Sequence, residues 1–281
     1  MRRFVKQAGF TACRALAGWR TPRGVPVLTF HSVDDSGSHV STAVELFRTA
    51  MAHLAARGVR GATISDVAEQ MRNGSVSDSV VVLTFDDGLA SFGEHAWPVL
   101  REYNHRATLY VPVDYVGSVA SWYAEYGLPQ MPLHGWDDLR ELRDQGVDIQ
   151  SHGCRHPALT TLDEAAVQDE LGRSREVLEQ ETGCVVAHFC YPFGDYDASI
   201  IQAARACGYA TAVTTKPGRW RADSDVLALP RACMDAIRME DAEFAKRVID
   251  ACLDGSFSRY IMYRDRLRSA MNREWKPPGG T

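Results

Sequence analysis

The chain has 281 residues, of which 45% are hydrophobic and 24% charged, and a formal net charge of -5. This is an ordinary globular mix, and it excludes a disordered, collagen-like or coiled-coil chain. A mildly acidic balance gives no general electrostatic reason to bind nucleic acid.

The N-terminus is basic. Arg2, Arg3 and Lys6 precede the stretch AGFTACRALAGW at 8–19, which Arg14 interrupts. A secretory signal needs a longer unbroken apolar core. Residues 1–24 therefore read as a basic leader, either a short amphipathic helix or a frayed segment. A helix in weak contact with a membrane surface is the sharper alternative. No run reaches the ~18–20 apolar residues of a membrane span.

The first expected strand covers 25–30 and ends at His31. A helix follows, with Phe47, Met51 and Leu54 on one face, and Gly58 closes it. The next strand, VVVLTF at 80–85, runs straight into Asp86-Asp87-Gly88. In parallel α/β folds the carboxyl ends of strands line the active-site mouth. Adjacent residues there point in different directions, so one carboxylate could hold a metal while the other faces a water. The plain alternative is an Asp-Asp-Gly turn that caps the next helix.

A strand is expected at 107–111, and a long polar-aromatic loop at 112–135 follows it. The loop carries Tyr115, Trp122, Tyr123 and Tyr126, and Trp136 stands just beyond. Loops of this length are often lids or binding loops. Two readings stay open: a platform for sugar rings, or a loop that packs its own aromatics inward.

The strand expected at 147–151 runs into His152-Gly153-Cys154-Arg155-His156. Two histidines four apart can meet on one turn or bracket one loop, a spacing common at metal sites. By itself the pair is weak evidence. Beside the Asp-Asp strand end it completes a plausible Asp-His-His set. Asp163 is placed to cap the next helix, whose Val167, Leu171 and Leu178 share a face. Further strands are expected at 185–191, 209–214 and 226–230. Residues 259–273 read as a solvated, charge-rich helix face, and 276–281 as disordered.

Strands that alternate with helices, several of which end in Gly before the next strand, imply βαβ units. Roughly seven units over about 230 residues suit one (β/α) barrel, with a doubly wound open sheet as runner-up. No composition shift marks a second domain. The chain divides into the leader 1–24, a catalytic domain 25–255, and a C-terminal helix and tail 256–281. Its 7 cysteines are odd in number and form no CxxC pair, which does not look like a disulfide framework or zinc-finger cage. Scattered thiols suit a reducing compartment. The expected location is cytoplasmic, peripheral to the inner membrane face if the leader touches lipid.

Taken together these segments resemble the polysaccharide deacetylases of carbohydrate esterase family 4. TFDDG at 84–88 is similar to the first family motif and SHGCRH at 151–156 to the second. FCYPFG at 189–194, LTFHSV at 28–33 and LPR at 229–231 resemble motifs of the branch that deacetylates poly-N-acetylglucosamine. The resemblance implies a distorted (β/α)7 barrel and a metal-dependent N-deacetylase of an N-acetylated carbohydrate. It implies Asp87, His152 and His156 as ligands of one divalent metal. Zinc is the first expectation, and cobalt or nickel also suit this ligand set. It implies Asp86 as general base and the backbone N–H of Tyr191 as oxyanion donor. The family's late Leu-x-His motif is missing, and His31 is the expected substitute acid. The arginine usual in the third motif is also missing. Arg231, at another strand, is expected to orient Asp86. Trp136, Pro192 and Trp122 are the expected substrate contacts. Two other readings are kept: a metal-independent hydrolase of a non-sugar amide, and an inactive glycan-binding protein.

Overall fold

The computed structural model describes residues 23–270. The leader up to residue 22 and the tail from 271 lie outside the described residues. The described strands are β1 (Val27–Phe30), β2 (Ser32–Val33), β3 (Ser41–Thr42), β4 (Arg60–Ala62), β5 (Val80–Phe85), β6 (Thr108–Val111), β7 (Asp148–Ser151), β8 (His188–Cys190), β9 (Thr211–Val213) and β10 (Ala232–Cys233). One parallel sheet runs in the order β10-β1-β5-β6-β7-β8-β9, and β4 pairs with β5. The segment before β10 bridges to β9 through Val213 and Leu229, so the sheet curls into a distorted (β/α) barrel. All six residues of β5 are buried, as expected of a strand covered on both faces.

Helices pack around the sheet: α1 (Val44–Ala56), α2 (Ile64–Arg72), α3 (Trp97–Glu102), α4 (Trp136–Asp144), α5 (Glu164–Thr182), α6 (Ala198–Ala206), α7 (Ala242–Leu253) and α8 (Ser256–Ala270). The expected face of α1, Phe47, Met51 and Leu54, is fully buried. Phe47 meets Phe30 edge-on at 5.2 Å between centroids, and Phe30 stacks on Phe85 at 5.4 Å. Each such ring contributes about 1.5–3 kcal/mol through burial. Asp163 caps α5 by accepting from Ala166 N at 2.8 Å, and Gly183 closes it at φ 69°. Two buried residues of α8, Phe257 and Ile261, tie it to the main core, so it is not solvated all round. No helix among the described residues is long and apolar enough to cross a membrane.

Two local expectations need correction. Residues 226–230 form no strand; the strand lies just after, at Ala232–Cys233. Pro230 has no N–H to give a ladder, so regular pairing starts beyond it. The strand Arg60–Ala62 was not expected, because Arg-Gly-Ala lacks an apolar run. It is held by the lower half of β5 through the Arg60–Val80 to Ala62–Val82 register.

Register sets the site. Phe30 pairs with Phe85, and Asp86 N donates to Phe30 O at 3.0 Å. Ser151 pairs with Val111 and with Phe189. The carboxyl ends of β1, β5, β7 and β8 therefore finish together, with His31, Asp86-Asp87, His152 and Tyr191 at one mouth.

Candidate active site

The two carboxylates diverge because the backbone turns sharply after β5. Asp87 takes φ 72° and Gly88 takes φ 65°. A left-handed aspartate is strained, and such strain concentrates at functional sites. Both carboxylates are buried, at 3% and 1% exposure.

Asp86 faces Arg231. The guanidinium donates both arms to the carboxylate, Nη1 to Oδ1 at 2.7 Å and Nη2 to Oδ2 at 2.7 Å. Its Nε donates to Thr214 O at 2.9 Å and Nη1 also reaches Thr29 Oγ1 at 2.9 Å. Arg231 is 1% exposed, so its orientation is fixed from every side. Burial pushes the Asp86 carboxyl up, but Arg231, then His152 and His31, outweigh it and hold it at about 2.

Asp87 faces the histidines. Its Oδ1 lies 3.3 Å from His152 Nε2 and 3.3 Å from His156 Nε2. His152 Nδ1 sits 2.7 Å from Cys190 O. A carbonyl only accepts, so Nδ1 carries the proton and Nε2 presents its lone pair to the centre. Asp87 Oδ1 and His156 Nδ1 are buried without a hydrogen-bond partner. The three ligand atoms lie within 4.8 Å of one another. Ligands about 2.1 Å from one ion, at a tetrahedral angle, stand about 3.4 Å apart. The Asp87–histidine spacings and the orphaned Oδ1 fit a divalent cation. Asp86, His152 and Cys190 also converge. That set is compromised, since both oxygens of Asp86 are bonded to Arg231 and His152 Nε2 is turned to Asp87.

The loop between the histidines is held from behind by Glu170 of α5. Glu170 is fully buried. Its Oε2 accepts from Cys154 N at 2.6 Å and Arg155 N at 3.0 Å, and Oε1 accepts from Arg155 Nε at 2.8 Å. A Cβ on Gly153, at φ +80°, would stand 3.0 Å from Glu170 Oε2. Cys154 is turned into α5, and burial, with Glu170 adding, pushes its thiol up to about 12. It is no nucleophile here.

His31 lies at the end of β1, and its Nδ1 meets Asp235 Oδ2 at 2.5 Å. Burial pulls the imidazole down, yet Asp235, then Asp87 and Asp86, raise it to about 9. Asp235, just past β10, was not among the expected site residues. A carboxylate four residues beyond Arg231 was the available signal.

The remaining expectations fall out unevenly. The Tyr191 N–H is engaged by Val213 O at 3.2 Å, because the β8–β9 ladder runs one residue past Cys190. The N–H expected as oxyanion donor is thus shared with the ladder. The Tyr191 hydroxyl is also tied, to Leu227 O at 2.9 Å. Pro192 is buried in a short turn. Trp136 is half-buried against the main core. Trp122 is buried and stacks on His156, with centroids 4.7 Å apart and planes at 17°. The aromatic loop packs its rings inward, around Leu89, Ala120, Trp122, Tyr123, Met131 and Leu133. Phe193 is 43% exposed, holds φ 59°, and its edge-on ring contact with His156 is 4.7 Å.

A family model described as Polysaccharide deacetylase matches residues 73–212. YxkH of Bacillus subtilis (strain 168) is 26% identical over 211 residues, which cover 75% of this chain and 71% of that protein. The poly-beta-1,6-N-acetyl-D-glucosamine N-deacetylase of Escherichia coli (strain K12) is 28% identical over 138 residues, 46% of this chain and 20% of that protein. Among solved structures, the Streptococcus pyogenes deacetylase PplD in complex with acetate superposes with a TM-score of 0.67 at 24% identity. That match covers 76% of this chain and 93% of PplD, and it supports the fold.

Proposed function

The chain belongs to the polysaccharide deacetylase family, and we propose that it is a metal-dependent hydrolase that removes N-acetyl groups from an N-acetylated sugar. The observation that carries this reading is the convergence of Asp87, His152 and His156 beside an Asp86 clamped by Arg231. Asp87 Oδ1 and the two Nε2 atoms would hold the cation. A bound divalent ion, zinc by first preference, would polarise the amide carbonyl and acidify a water.

The chain's own groups supply the rest. Arg231 keeps Asp86 ionised and aims it, so Asp86 can accept a proton from the attacking water. His31 is protonated at neutral pH through Asp235 and can give its proton to the departing amine. Phe193 is the exposed aromatic at the rim and offers an apolar face to a sugar ring.

The test is metal content together with acetate release. The purified chain should hold close to one equivalent of a divalent ion, and His152→Ala should lose it. N-acetylated saccharides should release acetate with the metal-loaded chain and not with Asp86→Asn. A chain that takes up no zinc, cobalt or nickel would favour the metal-free hydrolase. Retained sugar binding with no acetate release from the loaded wild type would favour the inactive binder.

A further inference from the structure

The loop at 112–135 packs against the site. Its return arm is stitched to the turn that carries Asp87. Ala90 N donates to Pro132 O at 2.8 Å, and His134 N donates to Gly88 O at 3.0 Å. This packs Trp122 and Tyr123, neighbours in one short 3-10 helix (Ser121–Tyr126), against the site. Tyr123 is 4% exposed and its hydroxyl donates to Asp87 Oδ2. That bond takes up the outer oxygen and leaves Oδ1 turned to the two imidazoles. A side chain on a left-handed backbone needs such an anchor, because its own strand no longer positions it.

His156 lacks the usual kind of anchor. Metal-bound histidines almost always donate their second ring nitrogen to an oxygen acceptor. Here Nδ1 of His156 is buried without a partner, whereas His152 has Cys190 O. The ring is set instead by the face of Trp122 on one side and the edge contact with Phe193. His156 itself sits at φ 58°, so its backbone gives little guidance.

We propose that this loop is part of the metal centre, with Tyr123 positioning Asp87 and Trp122 positioning His156, so that cation binding and loop docking stabilise each other. The inference rests on the reading that Asp87, His152 and His156 hold a divalent ion. Reciprocity follows from linkage: if a docked loop raises metal affinity, bound metal must favour the docked loop by the same factor. Neither residue touches the reacting atoms, so both are positioning residues.

The test uses the full chain and cobalt(II) as probe. Cobalt affinity is measured by chelator competition and by the visible absorption of the bound ion. Tyr123→Phe removes one hydroxyl and keeps the ring. Tyr115→Phe, in the same loop, is the control. Affinity should fall about 10- to 100-fold in Tyr123→Phe, the usual effect of losing an outer partner of a ligand. The cobalt spectrum should shift, which a merely structural loss of the Asp87 Oδ2 partner would not produce. Cobalt should slow hydrogen exchange in 118–134 of wild type, and less so in Tyr123→Phe. Equal affinity, spectrum and protection in wild type and Tyr123→Phe would overturn this inference alone. A wild type that binds no cobalt would overturn the metal reading, and this inference with it.

Discussion

Arg231 and Asp86 stand 145 positions apart in sequence and meet as a closed two-armed pair, with both contacts at 2.7 Å. Neither is open to solvent: Arg231 is 1% exposed and Asp86 3%. Such a pair stabilises only as a unit, because either charge alone would be buried without a partner.

Arg231→Ala should therefore destabilise the fold by about 3–5 kcal/mol. Arg231→Met combined with Asp86→Asn should recover most of that loss and still show no turnover. Arg231→Lys keeps the charge and loses the fork, so turnover should drop at least about tenfold. Chemical denaturation and acetate release read the two effects separately. Full activity in Arg231→Ala would remove Arg231 from the mechanism.

The His31–Asp235 pair makes a pH prediction. With His31 raised to about 9, the imidazole is protonated at neutral pH and loses its proton as pH rises through about 9. Activity that needs this acid should fall over the same range. Asp235→Asn removes the largest raising influence, so the alkaline limb should move to lower pH. The stability sign agrees for the imidazole: its contribution is complete below the ordinary histidine value of 6.5 and is lost as pH rises through about 9, while burial raises the Asp235 carboxyl. Rate profiles and melting temperatures against pH, for both proteins, check this. An unmoved alkaline limb in Asp235→Asn would assign it to another group.

Glu170 makes a third prediction. Glu170→Ala strands the buried N–H of Cys154, worth about 1–3 kcal/mol when unmet, and frees the part-buried N–H of Arg155. Stability should fall, and metal affinity with it, because the loop between His152 and His156 loosens. Glu170→Gln retains the acceptor oxygen and should fall between the two. Gly153→Ala should resemble Glu170→Ala, since its Cβ meets that carboxylate and its φ is +80°. Denaturation curves with and without cobalt measure both losses.

Phe193 sets function against stability. Its left-handed φ of 59° costs about 1 kcal/mol or more for a non-glycine residue. Phe193→Gly relieves that strain, so its melting temperature should fall less than that of Phe193→Ala. Both variants should raise KM for a saccharide, up to about tenfold, and losing the edge contact with His156 should also weaken cobalt binding. Loss of kcat at unchanged KM would place the ring in the chemistry and not in binding.

The sequence by itself carried whatever is encoded between near neighbours. Val80 to Phe85 announces a buried strand, and Asp86-Asp87-Gly88 follows it directly. His152 and His156 share one short loop. Glycines at 58, 146, 183 and 208 end helices in the left-handed region, which their local pattern foretold. From such signals the barrel and the four central side chains were legible. Strand 60–62 was not, because a partner and not its own residues makes it a strand.

Tertiary structure decided the partners. Arg231 reaches Asp86 because β10 lies beside β1 and β1 beside β5, an order no local pattern records. Asp235 meets His31 across 204 positions for the same reason. Whether Trp122 and Tyr123 face sugar or the ligand residues depended on how the loop at 112–135 docks, and composition favours neither. That the Tyr191 N–H meets Val213 O depends on how far two strands run together. Local sequence sets backbone preference and hydrophobic period. Which buried charges and donors find each other is settled only when distant strands fall into register, and an unmet polar group in the interior costs too much to be left to chance.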